Sequence, residues 1–147
     1  MSPAMENTPN PFVAMGFDAL LGSRVTEMTP ELARAELEVR DELKQPFGLL
    51  HGGVYASVAE SLTSWATAVE VIKRGRTASG LANQTSFLRP VTSGKLYATA
   101  VRKHGGNSTW IWEVEFTDDK GRLCALTRMT IAVREPREGE PLPEPVH

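Results

Sequence analysis

The stretch GVYASVAESLTSWATAVEVIK, residues 53–73, decides the fold. Its apolar residues Val54, Val58, Leu62, Trp65, Val69 and Ile72 recur at spacings of three and four, which at about 100° per residue draws one narrow stripe. The spacing predicts a helix about 30 Å long. The opposite face, with Ala56, Ser57, Ala59, Glu60, Ser64 and Thr67, is small or weakly polar, and Glu60 is the only formal charge between Gly52 and Val69. A solvated helix face ordinarily carries Lys, Arg and Glu in pairs. The helix is therefore expected to be covered twice, by its own sheet on one side and by a second subunit on the other.

Around this helix the period changes to two. From Glu31 onward Ala33, Ala35, Leu37 and Val39 alternate with Arg34, Glu36, Glu38 and Arg40, the pattern of a strand wet on one face. Four later segments read the same way: Ala78 to Arg89, Lys95 to Lys103, Thr109 to Asp118, and Arg122 to Arg134. Asp118-Asp119-Lys120-Gly121 joins the last two as a hairpin turn. Strands as apolar on one side as Trp110, Trp112, Val114 and Phe116 need a cover, and only the long helix can supply it. One buried helix wrapped by an antiparallel sheet of five to six strands is an α+β layer arrangement, and its outline is that of the hotdog fold. Upstream, Asn10-Pro11 has the form of a helix cap, and Phe12, Met15, Leu20 and Gly22 outline a short lid or edge helix and its stop.

A chain of 147 residues with 41% hydrophobic and 23% charged residues can bury one core and is too small for two comfortable ones. Residues 1–10 and 135–147, rich in Pro, Glu and Asn, read as flexible tails on a domain spanning 11–134. Sixteen Lys and Arg against 18 Asp and Glu leave a net charge of -2, which gives no basic excess for a nucleic acid partner. The N-terminus lacks the charged and apolar regions of a secretory signal, and no window approaches the length of a membrane span. The single cysteine, Cys124, lies between Leu123 and Ala125 and is expected as a buried strand thiol. A soluble protein of a reducing, cytoplasmic compartment, without a metal site, is the expectation.

The chemistry concentrates in Gln45-Pro-Phe-Gly-Leu-Leu-His51-Gly52-Gly53 and the helix that follows. Two glycines at a loop-to-helix junction let the backbone approach a ligand closely. The first helical N–H groups lack intrahelical partners and sit at the positive end of the helix dipole. Glu60 lies two turns further in, and Ser64 follows it at i+4 on the same face. An isolated carboxylate on a small, neutral face is costly, which points to function, against the plainer reading of Glu60 as a buried acid paired with an Arg across an interface.

Gln-x5-His-Gly-Gly-x6-Glu-x3-Ser, running from Gln45 to Ser64, resembles the hotdog acyl-CoA thioesterases of the 4-hydroxybenzoyl-CoA thioesterase type found in Arthrobacter, within the wider PaaI-like superfamily. The resemblance continues through Asn83-x3-Phe87-Leu88-Arg89-Pro90 and the His104-Gly105-Gly106 turn to the Trp110–Cys124 hairpin. Ser64 stands where a threonine is usual in that type, which keeps the hydroxyl.

The resemblance implies hydrolysis of an aromatic or medium-chain acyl-CoA to free acid and coenzyme A, with the coenzyme as part of the substrate and no separate cofactor. Gly52 N–H would stabilise the tetrahedral oxyanion, and Glu60 would act either as general base or as nucleophile. Gln45 would polarise the thioester carbonyl or orient the acid or water, and Ser64 would hold the water or the carboxylate. His51, Gly53 and Asn83 would contact substrate. Arg89 and the Gly106-Asn107-Ser108-Thr109 loop match family positions near the nucleotide, with Arg137 a further candidate. The groove would lie at a homodimer interface, with Gln45 and Gly52 from one subunit and Glu60 and Ser64 from the other, in a dimer or dimer of dimers. Plainer readings stand beside these: His51 as a residue that fixes the turn through backbone groups, which is the favoured reading, Gln45 as a partner for a buried carbonyl, and Asn83, Arg89 and Ser108 as ordinary strand-end polar residues. A binding protein without catalysis, or a hydratase needing an Asp and His pair, are the rival functions.

Overall fold

The computed structural model describes residues 14–141. It comprises a short helix α1 (Gly16–Leu21), strands β1 (Arg24–Met28) and β2 (Leu32–Glu38), the long helix α2 (Gly52–Val71), and strands β3 (Thr77–Phe87), β4 (Lys95–Gly105), β5 (Thr109–Thr117) and β6 (Leu123–Arg134). The six strands form one antiparallel sheet in the order β1-β2-β4-β5-β6-β3, with α2 laid across one face. This is the hotdog fold. Asn10, Pro11 and Phe12 of the expected cap, and tail residues 1–10 and 142–147, lie outside the described residues.

Period-two alternation lines the core with Ala33, Ala35, Leu37, Leu96, Ala98 and Ala100 from β2 and β4, and with Trp110, Trp112, Val114 and Phe116 from β5. Cys124 is buried on β6, where burial raises its thiol pKa. The turn at Asp118 closes through Gly121 N–H donating to Asp118 O at 2.9 Å, with Gly121 at φ 72°.

Six strands stand at the upper end of the expected five to six, and the sixth is β1, which pairs with β2. Its RVTEM sequence carries a register break between Val25 and Glu27 and no clean alternation, so periodicity does not expose it. One expectation is corrected, the buried arc of α2, which is wider than the expected stripe and rotated from it. Val54, Tyr55, Val58, Ala59, Leu62, Thr63, Ala66, Thr67 and Val71 are buried, whereas Trp65 is 40% exposed. Ala59 and Thr67, expected on the outer face, lie in the core. The threonines tolerate this because Thr63 Oγ1 donates to Ala59 O and Thr67 Oγ1 to Thr63 O, each at 2.8 Å. Trp112 Nε1 in turn donates to Thr67 Oγ1 at 3.0 Å.

Both sheet edges are open in the single chain, and β3 is the more apolar of the two. Leu81, Phe87 and the following Leu88 are each more than half exposed. The segment after β6 turns back, because Glu140 accepts two hydrogen bonds from Arg134 at 2.7 and 2.8 Å and one from Arg137 N–H at 2.8 Å. Among the described residues no helix is long and apolar enough to cross a membrane.

Candidate active site

The loop before α2 is built by its own hydrogen bonds. Gln45 N–H donates to Leu49 O at 2.8 Å and Gly48 N–H to Gln45 O at 3.0 Å, with Gly48 at φ 83°. Phe47 N–H donates to Gln45 Oε1. That bond fixes the carboxamide oxygen as the acceptor and leaves the Gln45 amide nitrogen as a donor for something else. At the helix start, Gly53 N–H donates to His51 Nδ1 at 2.8 Å, so His51 is the N-cap of α2. The imidazole accepts at Nδ1 and, when neutral, carries its proton on Nε2.

These bonds separate the two glycines. Gly53 N–H is taken by the cap, whereas Gly52 N–H has no acceptor among the described residues. A Cβ on Gly52 would lie 2.9 Å from two carbons of the Phe87 ring, so glycine there is a packing requirement as well as a route of close approach. Gln45, Gly52, Tyr55, Phe87, Leu88 and Arg89 line an open cleft of about 430 Å3. Burial, and secondarily the nearby Cys124, push the Tyr55 phenol up to about 12, so it stays neutral in the wall of this cleft.

Glu60 and Ser64 lie elsewhere. With Ser61, Trp65, Ala68 and Ala78 they line a second open cleft of about 300 Å3. Glu60 is exposed in the single chain and forms no ion pair with the described residues, in contrast to the enclosed acid that the sequence suggests. Gly80 of β3 lies beside it, where an added Cβ would lie 3.6 Å from Glu60 Oε1, next to the register break between Gly80 and Ala82. Eight residues of helix separate Gly52 from Glu60, about 12 Å along the axis. A carbonyl held on Gly52 N–H is therefore out of reach of the same chain's carboxylate.

The other predicted residues divide in the same way. Arg89 follows β3 at the Gln45 end, where its N–H donates to Cys124 O at 3.0 Å. Gly106, Asn107, Ser108 and Thr109 form the β4–β5 turn at the far end, where Ser108 O accepts from Val133 N–H at 2.9 Å. From Ala125, paired with Phe87, to Ala132, paired with Thr109, is roughly 23 Å of strand. Arg137 lies beyond β6 at that same far end.

Asn83 Nδ2 donates to Ala56 O at 2.9 Å and its Oδ1 accepts from Thr85 Oγ1 at 2.9 Å, so its carboxamide ties β3 to α2. His51 and Gly53 line a third cleft, separate from the one that Gln45 and Gly52 line. Sequence reading missed Tyr55 and the ring of Phe87 as walls. Phe87 could have been found, since it stands in the same motif as Arg89.

The fold and the amide-lined start of its central helix define a class, the hotdog domain. Residues 47–125 match the family model described as the thioesterase superfamily. The chain belongs to that superfamily. It is 35% identical over 124 residues to the 1,4-dihydroxy-2-naphthoyl-CoA hydrolase of Listeria monocytogenes, covering 84% of this chain and all of that one. It is 37% identical over 115 residues to the proofreading thioesterase EntH of Klebsiella pneumoniae, covering 78% and 83%. The structure of the Rv1847/MT1895 protein from Mycobacterium tuberculosis is similar with a TM-score of 0.79 at 39% identity, covering 82% of this chain and 98% of that one.

Proposed function

We propose that this protein hydrolyses an acyl-CoA thioester of the aromatic or medium-chain class, as the 4-hydroxybenzoyl-CoA type of resemblance implies, in an active site shared between two copies. The observation that carries the proposal is the division of the site. One chain offers Gly52 N–H and the Gln45 amide as two unengaged donors in one cleft, and Glu60 with Ser64 in another, too far off to act together. An isologous dimer joins the first set of each chain to the second set of the other.

The β3 edge supplies a way to do this. Phe87 marks the position of Gly52 on that strand and Gly80 marks Glu60. Antiparallel pairing of two β3 edges with Gly80 opposite the partner's Phe87 places the two-fold axis at Gln84, near the middle of the strand, because the register break between Gly80 and Ala82 adds one residue on the Gly80 side. It also covers the exposed Leu81, Phe87 and Leu88 and encloses Glu60. The same pairing brings Arg89 of one chain toward the Gly106–Thr109 turn of the other, so that donors and cations meet the anionic end of the coenzyme.

In the shared site the thioester oxygen accepts from Gly52 N–H and the Gln45 amide, and the helix dipole behind Gly52 favours the charge that develops on that oxygen. The partner's Glu60 carboxylate either deprotonates a water that attacks the carbonyl, with the thiolate of coenzyme A leaving, or attacks it directly, expelling the thiolate to give a mixed anhydride that water then hydrolyses to the free acid and the restored carboxylate. Ser64, one turn further along, orients the carboxylate or the water. His51 holds the helix start in register through its Nδ1 cap, which supports the structural reading of that residue. The test is release of free thiol from purified protein supplied with benzoyl-, hexanoyl- and dodecanoyl-CoA. Glu60→Ala should lower turnover by about a hundredfold or more, with acyl-CoA still bound. Unchanged turnover would remove Glu60 from the reaction.

A further inference from the structure

Helix α1 begins at Gly16 and is stopped by Gly22, both in the left-handed region at φ 56° and 73°. Six residues cannot hold a helix by themselves, and three attachments fix this one. Leu21 is buried in the core, Ser61 Oγ donates to Asp18 Oδ1 at 2.6 Å, and Arg40 donates to the carbonyls of Leu20 and Leu21, the latter at 2.7 Å. Arg40 thereby caps the C-terminal end of α1, where a cation is favoured. The helix is clamped, yet it turns Phe17 outward with 61% of its surface exposed.

Phe17 lines the third cleft, of about 330 Å3, with Leu21, Leu43 and Val54 as its other apolar walls and Glu42, Lys44 and Ser57 as polar ones. His51 and Gly53 also line it. Gly52 and Gly53 are consecutive, so this cleft begins one residue from the donor proposed to hold the thioester oxygen. Its volume is within the range of small-molecule pockets, and its four apolar side chains offer a wall against which a hydrocarbon or aryl group can pack. An exposed aromatic held rigidly over such a cleft gains contact area when the cleft fills, without a cost for ordering the helix that carries it.

We infer that the cleft between α1 and the start of α2 takes the acyl group of the substrate, and that Phe17 is the wall that sets which acyl groups fit. The inference rests on the acyl-CoA reading above for the identity of the ligand. Its position is independent of Glu60, so binding tests it even if turnover is absent.

The experiment compares the full-length chain with Phe17→Ala, Phe17→Leu and Phe17→Trp. Two readouts are taken over acetyl-, hexanoyl-, dodecanoyl- and benzoyl-CoA: kcat/KM by thiol release, and Kd by titration calorimetry of the corresponding thioether analogues, which cannot be hydrolysed. Phe17→Ala should raise the dodecanoyl-to-hexanoyl preference about tenfold, and Phe17→Trp should lower it. Phe17→Leu should fall between them, and acetyl, too short to reach the ring, should change little. An equal change for every acyl group, an unchanged profile, or a loss of dimer on gel filtration in place of a change in preference would overturn the inference. A wild-type chain that binds the analogues with this pattern but releases no thiol would instead count against the hydrolase reading alone.

Discussion

Mixing two inactive variants should restore activity. In the proposed shared site, Gln45 and Gly52 of one chain would work with Glu60 of the other, so a chain carrying Glu60→Ala and a chain carrying Gln45→Ala would each spoil both sites of their own homodimers. In a mixed dimer both substitutions fall in one site, and the other is intact. Random re-association gives mixed dimers about half the time, each with one good site of two, so activity should return to about a quarter of wild type. The background is low enough to read this. Losing an oxyanion donor costs about 100- to 1,000-fold, and losing the general base about 100- to 10,000-fold. A quarter of wild-type activity stands at least about 25-fold above the better parent. The assay is thiol release after the two variants are unfolded together in denaturant and refolded, with each variant refolded alone as the control. Recovery of no more than the average of the parents would refute the division of the site between chains.

Other outcomes follow from the same geometry. Gln84→Cys should form an intersubunit disulfide on mild oxidation, seen as a dimer on non-reducing gels, because the proposed axis passes beside residue 84 and the native Cys124 is buried. Gly52→Ala should lose stability by about 1–3 kcal/mol through the Phe87 ring at 2.9 Å, and Phe87→Ala in the same chain should recover most of it in thermal melts. Trp112→Phe removes the indole donor from Thr67 Oγ1 in a fully buried pair and should cost about 2–3 kcal/mol by denaturant unfolding. Asp118 is held below the usual carboxylate range by the Arg122 side chain and by backbone N–H groups of Arg122 and Lys120. Its contribution to stability is complete above the ordinary carboxylate pKa and fades as pH falls through the lowered folded value. Asp118→Asn should therefore lower the Tm at pH 7, with the difference from wild type shrinking in acid.

The elements with a strong period were legible in the sequence, and those whose structure depends on neighbours were not. Ala33 to Val39 alternate because one side meets α2 and the other meets water, and the pattern exposes β2. Strand β1 is five residues at a sheet edge with a register break, so burial imposes no alternation on it. The helix was legible as a helix, but its rotation was not. Counting only aliphatic and aromatic residues puts Trp65 on the buried stripe and Thr63 and Thr67 outside it. The folded chain reverses this, because a threonine can return its hydroxyl to the carbonyl one turn back and then pack like valine. Nothing in the sequence distinguishes a threonine that does this from one that faces water.

The candidate site residues stand close together in the sequence and apart in the folded chain, and the reason is the length of the helix. Gln45, Gly52, Glu60 and Ser64 read together because they fall within 20 residues, yet the helical rise that brings them close in sequence spreads them in space. A compact monomeric site would put its acid within one turn of the helix start. Here the acid is eight residues in, on a face it shares with Ser61, Ser64 and Trp65, next to a glycine on an open strand edge. Gly80 is the informative residue. A side chain there would press on the carboxylate from the strand, and its absence leaves room at the edge where another chain would have to enter. The small, nearly uncharged face of α2, the open β3 edge and the spacing of donor and acid would all be accounted for by the proposed second copy of the chain, and the mixed-variant experiment tests that account.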